Sequence, residues 1–171
     1  MPKLRLRMPE SELTTWASRY SYPGEAEIEK RVGPNARARG YLQRDEFLEL
    51  CRWKTPRSQP RCATNGEDYV RDVTRVALAA TNEELKIRVL LLLAGVSWPT
   101  ASVILHFCDE GAYPILDFRA LWSVGYRRVP PYTFLLWWEY TRFIRAISKR
   151  TGLSMRTIDR ALWQYSKDRQ P

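Results

Sequence analysis

Apolar side chains recur every three or four positions along most of the chain, the spacing that places them on one face of an α-helix. Val70, Val73 and Ala77 form one such stripe. No segment shows a convincing alternation of apolar and polar residues over the length of a strand. The pattern therefore predicts an all-α protein, with helices over about residues 11–20, 25–32, 45–53, 68–80, 132–149 and 154–167.

Two stretches rich in helix-breaking residues interrupt this pattern. Gly33-Pro34-Asn35 is predicted to end the helix over 25–32, because proline cannot continue a regular helix. Residues 54–66 contain two prolines and are predicted to be the longest irregular stretch. We expect a single all-α domain over residues 1–171, with a core at 41–125 and with flanking helices at 1–40 and 130–171 that form a second, small lobe.

Residues 83–107 have the pattern of two helices joined by a tight turn. Gly95 supplies the positive φ that such a turn requires. Pro99 and Thr100 suit the start of the second helix, where the missing N–H of proline costs nothing. The unpaired backbone N–H groups at a helix start can hold a phosphate. An ordinary helical hairpin has the same pattern, so this stretch alone leaves both interpretations open.

The net charge of the chain favours the phosphate-binding interpretation of this hairpin over the ordinary one. The chain has 28 Lys and Arg against 19 Asp and Glu, a net charge of +9, and a pI near 9.7. A domain this basic often binds nucleic acid, although a merely soluble basic protein has the same charge. Hydrophobic residues make up 44% of the chain and include seven Trp, enough to build a core. The longest apolar run, residues 89–96, is far shorter than the ~20 residues of a membrane span.

An acidic residue follows the hairpin after an apolar lead-in, in the sequence Ile115-Leu116-Asp117. Together with Leu93-Ala94-Gly95-Val96-Ser97 and Thr100-Ala101, it resembles the helix-hairpin-helix DNA glycosylase superfamily, which includes the endonuclease III, MutY and AlkA branches. Pro99 and Asp117 are eighteen positions apart, which matches the family spacing between the position after the turn and the catalytic Asp. The resemblance covers about residues 85–122. It implies a compact multi-helix glycosylase-like domain with a small additional helical lobe.

The chain departs from the family pattern at several positions. Ser97 replaces the second turn glycine, which leaves open the monovalent cation that the resemblance implies at the hairpin. Pro99 stands where the lyase branch carries its Lys, so we expect no Schiff-base lyase activity. Phe118 and Arg119 follow the acid in place of a small residue and a His. No Cys follows Cys108, so the four-Cys iron–sulfur loop of some branches is missing and we expect no cofactor.

A carboxylate beneath the sugar can stabilise the positive charge that develops when an N-glycosidic bond breaks. To reach it, the nucleotide must flip out of the base stack. We therefore expect a DNA-binding, monofunctional DNA N-glycosylase with Asp117 as the catalytic carboxylate, acting in repair or in defence against modified phage DNA. Asp117 also suits a helix N-cap. The alternatives are a non-catalytic helix-hairpin-helix module that only binds DNA, and a protein-interaction scaffold.

The predicted DNA-contacting residues fall into three groups: hairpin residues on the phosphate, basic residues in the groove, and a wedge or base-pocket residue. They are Gly95, Ser97, Trp98 and Thr100; Lys54, Arg57, Arg61 and Arg119; and Trp53. His106 and Cys108, even with Cys51 and Cys62, match no common zinc spacing, so we expect core residues rather than metal ligands. We expect double-stranded DNA as the partner, a monomer, and, from three widely spaced cysteines, the reducing cytoplasm.

Overall fold

The computed structural model describes residues 4–171, and every regular element in this range is a helix. The all-α prediction is therefore confirmed. The α-helices are α1 (Leu13–Ser18), α2 (Glu25–Glu27), α3 (Gly33–Arg39), α4 (Arg44–Lys54), α5 (Gln59–Cys62), α6 (Glu67–Ala79), α7 (Glu83–Leu90), α8 (Trp98–Cys108), α9 (Phe118–Ser123), α10 (Phe134–Thr151) and α11 (Met155–Arg169). No helix within residues 4–171 is both long and apolar enough to cross a membrane.

The chain divides into two compact units. Unit 1 consists of Met1–Tyr22 and Ala112–Pro171, and unit 2 consists of Pro23–Gly111. Residues 23–40, which the sequence analysis assigns to the second lobe, belong to unit 2 because α3 packs against α8. Residues 112–125, assigned there to the core, belong to unit 1 because α9 packs against α11. Each unit is described by itself below.

Unit 2 is built around α8, which α3, α4 and α7 contact, while α6 packs on α7. Its helices bury large apolar side chains completely, among them Phe47, Leu50, Ile87 and Ile104. Asn82 begins α7 by accepting a hydrogen bond from the Leu85 N–H at 2.9 Å. This N-cap satisfies one of the donors that every helix start leaves unpaired.

Unit 1 is organised on α11, which contacts α1, α9 and α10. Trp137 and Tyr140 of α10 are completely buried. The long helix predicted over about residues 132–149 is present as α10, and Gly152 follows it with a φ of +71°. Ser154 then caps α11 by accepting a hydrogen bond from the Thr157 N–H at 3.0 Å.

The prediction that Gly33-Pro34-Asn35 ends a helix is wrong. Residues Ile28–Val32 form a π-helical turn between α2 and α3, and the helical path continues to Arg39. Gly33 donates its N–H to the Ile28 carbonyl, five residues back. This wider turn accommodates Pro34, which has no N–H to offer a regular helix. Gly40 ends the segment instead, with a φ of +77°.

The stretch predicted to be irregular, residues 54–66, is also partly helical. It contains a 3₁₀ turn at Pro56–Ser58 followed by α5. Both begin with proline near the first position, where the missing N–H disrupts no hydrogen bond. The same tolerance lets α8 begin at Trp98, one residue before Pro99. In these three elements proline therefore stands at a helix start rather than at a break.

Candidate functional site

The turn between α7 and α8 has the backbone geometry that the sequence predicts. Gly95 adopts a φ of +80°, and Ser97 follows as an extended N-cap residue. The first intrahelical hydrogen bond of α8 runs from the Ala101 N–H to the Ser97 carbonyl at 2.8 Å, and the Ser97 side chain makes no capping bond. The N–H groups of Trp98 and Thr100 therefore lie in the first turn, where helices have no internal acceptor for them.

Asn65 fixes this turn from the neighbouring segment. Its amide nitrogen donates to the carbonyls of Ala94, at 2.9 Å, and Cys62, at 2.8 Å. Its amide oxygen accepts the Ala94 N–H at 2.9 Å. The Asn65 side chain is buried, so the bond to Cys62 is shielded from water and the two bonds to Ala94 are partly shielded. The sequence analysis missed Asn65; its only signal is the Asn-Gly pair at the end of the proline-rich stretch.

Gly95 also brings the hairpin against the predicted basic segment. A Cβ added to Gly95 would lie 2.7 Å from the Sγ of Cys62 and 3.2 Å from the Cβ of Arg61. A glycine is therefore required here by close packing as well as by φ. Arg57 and Arg61 are exposed and Lys54 is half-buried. The structure thus places Arg61 directly beside the turn, a proximity that the sequence could not show.

The other predicted hairpin residues differ in exposure. Ser97 is exposed, and Trp98 is half-buried with the guanidinium of Arg88 5.8 Å from its ring centroid. Thr100 is fully buried, and its hydroxyl has no hydrogen-bond partner among the described residues. The Thr100 side chain therefore packs inside unit 2, and only its backbone N–H is suited to a phosphate at the helix start.

Trp53, the predicted wedge, lies at the end of α4 and is half-buried. Its ring meets Phe107 of α8 edge-on at a centroid distance of 5.6 Å. Its Cδ1 atom lies 3.5 Å from the position of a Cβ on Gly24. These contacts are those of a packing residue, and the wedge role stays a prediction.

In unit 1, Asp117 is the N-cap of α9. It is half-buried and extended, with a φ of −152°, and its Oδ1 accepts the Ala120 N–H at 2.8 Å. The capping role that the sequence allows is therefore present. The capping bond fixes the position of the Asp117 carboxylate at the start of α9.

Asp117 belongs to a cluster of half-buried and buried polar groups. Burial, and next the charge of Asp117, raise the pKa of Tyr132. Burial raises the pKa of Tyr140 well above its usual value, and the charges of Asp159 and Asp117 add to the effect. Tyr140 donates its hydroxyl to the Ile115 carbonyl at 3.2 Å. Both phenols are therefore neutral at physiological pH, and a neutral phenol can donate a hydrogen bond.

Asp159 is the second carboxylate of this cluster. It accepts the Ile115 N–H at 3.3 Å and pairs with Arg156 at 2.5 Å. It thereby holds the segment that leads into Asp117. The sequence could not pair Asp159 with Asp117, because forty-two positions separate them. Only the packing of α11 brings Asp159 close enough for both charges to raise the pKa of Tyr140.

Arg119 follows Asp117 by two positions and lies on aromatic rings. Its guanidinium is 5.0 Å from the centroid of Phe118 and 5.4 Å from that of Trp163. Lys167 lies 5.2 Å from the same Trp163 ring. Phe118 is 49% exposed. Cations over aromatic faces at a protein surface are the groups that contact phosphates and unstacked bases in nucleic-acid-binding proteins.

Within residues 4–171, no group of three or more His, Cys, Asp or Glu side chains is arranged to hold a metal ion. Cys51, Cys62 and Cys108 are free and buried. Burial raises the pKa of Cys51 and of Cys108, which keeps both thiols protonated and unsuited to metal binding or nucleophilic attack.

No protein-family model matches this chain, and no curated protein matches it. Among solved structures, the chain is similar to the crystal structure of Methanocaldococcus jannaschii 8-oxoguanine glycosylase/lyase in complex with a 15mer DNA containing 8-oxoguanine. The alignment covers 93% of this chain and 80% of that chain, with 18% identity and a TM-score of 0.47. With a TM-score below 0.5 this is a distant similarity, from which no activity follows.

Proposed function

We propose that this protein binds double-stranded DNA and hydrolyses the N-glycosidic bond of a damaged or modified base, as a monofunctional DNA glycosylase. The observation that carries the proposal is the hairpin turn. Gly95 in the left-handed region is followed by a helix start whose Trp98 and Thr100 N–H groups lack intrahelical acceptors. The helix dipole adds to their attraction for a phosphate oxygen.

The basic segment beside the turn supports the same function. Arg61 packs next to Gly95, and Arg57 is exposed on the same segment. Their charges attract the DNA backbone and add to the phosphate contact at the helix start. Such contacts position the DNA without reading its sequence. The base preference therefore depends on residues that contact the flipped nucleotide.

Asp117 is the proposed catalytic carboxylate. When the N-glycosidic bond breaks, its electron pair leaves with the base and positive charge develops on the sugar. Asp117 stabilises this charge; the oxygen of a water molecule then adds to C1′, and the proton that the water loses is matched by the one that the departed base takes up. The charge of Asp117 is felt by Tyr132, whose pKa it helps burial to raise, and we propose this phenol as the group that orients the water. Pro99 at the position of the lyase Lys argues against a Schiff-base route.

Asp117→Asn tests this role with little loss of stability, because Asn caps helices about as well as Asp. We expect the variant to keep duplex binding and to lose about a hundredfold or more of the base-release rate, the usual effect of removing a charge that stabilises a transition state. Base release is measured by chromatography on duplexes that carry oxidised, alkylated, deaminated or hypermodified bases. Asp68→Asn, which removes an exposed carboxylate from α6, is the matched control. Equal rates for wild type and Asp117→Asn would refute the catalytic role.

A non-catalytic DNA-binding module is the second candidate, and the capping bond from Ala120 to Asp117 favours it. A carboxylate that only caps a helix needs no other role. This candidate predicts salt-dependent duplex binding with no base release from any duplex of the panel. For both candidates we propose a monomer, and the free thiols support the reducing cytoplasm as its location.

A further inference from the structure

Unit 2 contains a cavity of about 410 Å³ whose lining includes none of the hairpin residues. It lies between the end of α3, the second half of α6 and the C-terminal end of α8. Three arginines line it: Arg37, Arg39 and Arg75. The volume is within the range of about 300–1,000 Å³ that is typical of small-molecule sites.

Two of the arginines converge on one aromatic ring. The guanidinium carbon of Arg39 is 5.4 Å from the ring centroid of Tyr41, and that of Arg75 is 4.9 Å from it. Glu46 already pairs with Arg39, whose buried Nε lies out of reach of a ligand in the cavity. The charge of Arg75 is less neutralised by its neighbours, so Arg75 is the arginine more available to an anion.

Most of the acidic groups near the cavity are already neutralised. Asp109 pairs with Lys86 and accepts the Gly111 N–H, and Glu46 pairs with Arg39. Glu110 is the exposed carboxylate of the lining. Arg75 has only a long contact with an exposed acid, Asp72, at 3.6 Å. Arg75 is therefore the group best placed to bind an incoming anion.

The remaining lining suits the uncharged part of a ligand. Leu78 and Ala79 of α6 and the buried Cys108 provide an apolar wall. Gly40 faces open space, since a Cβ added to it would meet no atom within 4 Å. A flat organic group can therefore lie against the apolar wall while its anionic end meets the arginines.

We propose that this cavity binds a terminal phosphomonoester carried on a small organic body, of the size of a mononucleotide. A phosphomonoester has up to two negative charges and three acceptor oxygens, which match the planar fork of Arg75, while Arg37 and Arg39 add positive charge to the lining. The group can come from a free nucleotide or from the phosphorylated end of a DNA strand. The site is separate from the hairpin and does not depend on base release by Asp117.

Calorimetric titration of the full chain with thymidine 5′-monophosphate tests the proposal. Arg75→Gln, at a side chain that is 53% exposed, is expected to weaken binding about tenfold because it removes a charge-assisted hydrogen bond. Glu110→Gln is expected to strengthen binding about two- to fivefold because it removes a repelling charge. These opposite effects distinguish a ligand contact from a general loss of stability. Arg142→Gln, at an exposed arginine of unit 1, is the control and should change nothing.

Two duplexes that differ only in a 5′-phosphate distinguish the sources of the group. If Arg75→Gln weakens binding of the nucleotide and of the phosphorylated duplex but not of the unphosphorylated duplex, the cavity binds the phosphorylated ends of DNA strands. If Arg75→Gln weakens binding of the nucleotide alone, the cavity binds a free nucleotide. An Arg57→Gln/Arg61→Gln variant should weaken both duplexes equally and leave nucleotide binding intact, which separates this site from the hairpin. The proposal is overturned if thymidine binds as tightly as its monophosphate, if neither Arg75→Gln nor Glu110→Gln changes the affinity, or if no nucleotide binds.

Discussion

Asn65 and Ala94 are joined by a reciprocal pair of hydrogen bonds, in which the side-chain amide pairs with the backbone N–H and carbonyl at 2.9 Å each. A third bond from the same amide to the Cys62 carbonyl anchors the pair on the segment beside the hairpin. The Asn65 amide thus pairs with the backbone N–H and carbonyl of Ala94 in the way that a neighbouring β-strand pairs with a residue in a sheet.

Asn65→Ala should destabilise the protein by about 1–3 kcal/mol, because three hydrogen bonds are lost and the partly buried Ala94 groups are left without these partners. Urea unfolding measures the loss. Duplex binding of the folded variant should weaken, since the turn would no longer be fixed. Asn35→Ala, at an exposed position of α3, is the matched control and should stay within about 0.5 kcal/mol of wild type. A fully stable Asn65→Ala protein with unchanged DNA binding would contradict the assigned role.

Gly95→Ala and Gly152→Ala separate backbone strain from close packing. Both glycines have positive φ, but a Cβ on Gly152 meets nothing within 4 Å, whereas one on Gly95 lies 2.7 Å from Cys62. We expect a loss of about 1 kcal/mol for Gly152→Ala and at least about 2–4 kcal/mol for Gly95→Ala. Thermal and urea unfolding provide the comparison. Similar losses for the two variants would show that the packing against Cys62 is unimportant.

The capping and electrostatic roles of Asp117 can be measured apart. Asp117→Ala should lower the free energy of unfolding by about 1 kcal/mol, because the Ala120 N–H loses its acceptor. Asp117→Asn should keep the cap but lower the pKa of Tyr132, because the charge that helps to raise it is removed. Ultraviolet titration of phenolate formation reports the second effect, with Tyr132→Phe identifying the signal. An unchanged Tyr132 titration in Asp117→Asn would contradict the predicted proximity.

Stability should fall in alkaline solution. Burial raises the pKa of Tyr126, Tyr132 and Tyr140 above the ordinary value of 10.0. The unfolded chain therefore loses these protons at lower pH than the folded chain does, and the difference favours unfolding as pH rises. The stabilisation is fully present below pH 10 and is lost progressively above it. Urea unfolding across this range should show a smaller decline for Tyr132→Phe; an equal decline would exclude Tyr132 as a contributor.

Arg57 and Arg61 should contribute to the salt dependence of duplex binding. If each contacts one phosphate, Arg57→Ala/Arg61→Ala reduces the slope of log K against log salt concentration by about two. Fluorescence anisotropy at several salt concentrations measures the slope. Arg142→Ala, which removes an exposed charge from α10, is the control. An unchanged slope in the double variant would exclude the segment beside the hairpin from the DNA contact.

The sequence by itself determined the helical class, the Gly95 turn, the caps at Ser154 and Asp117, and the end of α10 at Gly152. These features depend on local rules, namely apolar spacing, capping side chains and the conformational freedom of glycine, which act within a few residues. Local rules failed at Gly33-Pro34-Asn35, because the π turn that accommodates Pro34 is supported by packing against α8.

Only the tertiary structure decided which distant groups meet. Asn65 contacts Ala94, and Arg61 lies beside Gly95, although about thirty positions separate the members of each pair. Asp159 and Asp117 are forty-two positions apart, yet the charges of both raise the pKa of Tyr140. The cavity lined by Arg39 and Arg75 likewise draws on three separate segments. Burial, close approach and low dielectric give these pairs their energy, and all three depend on how helices pack rather than on the order of residues.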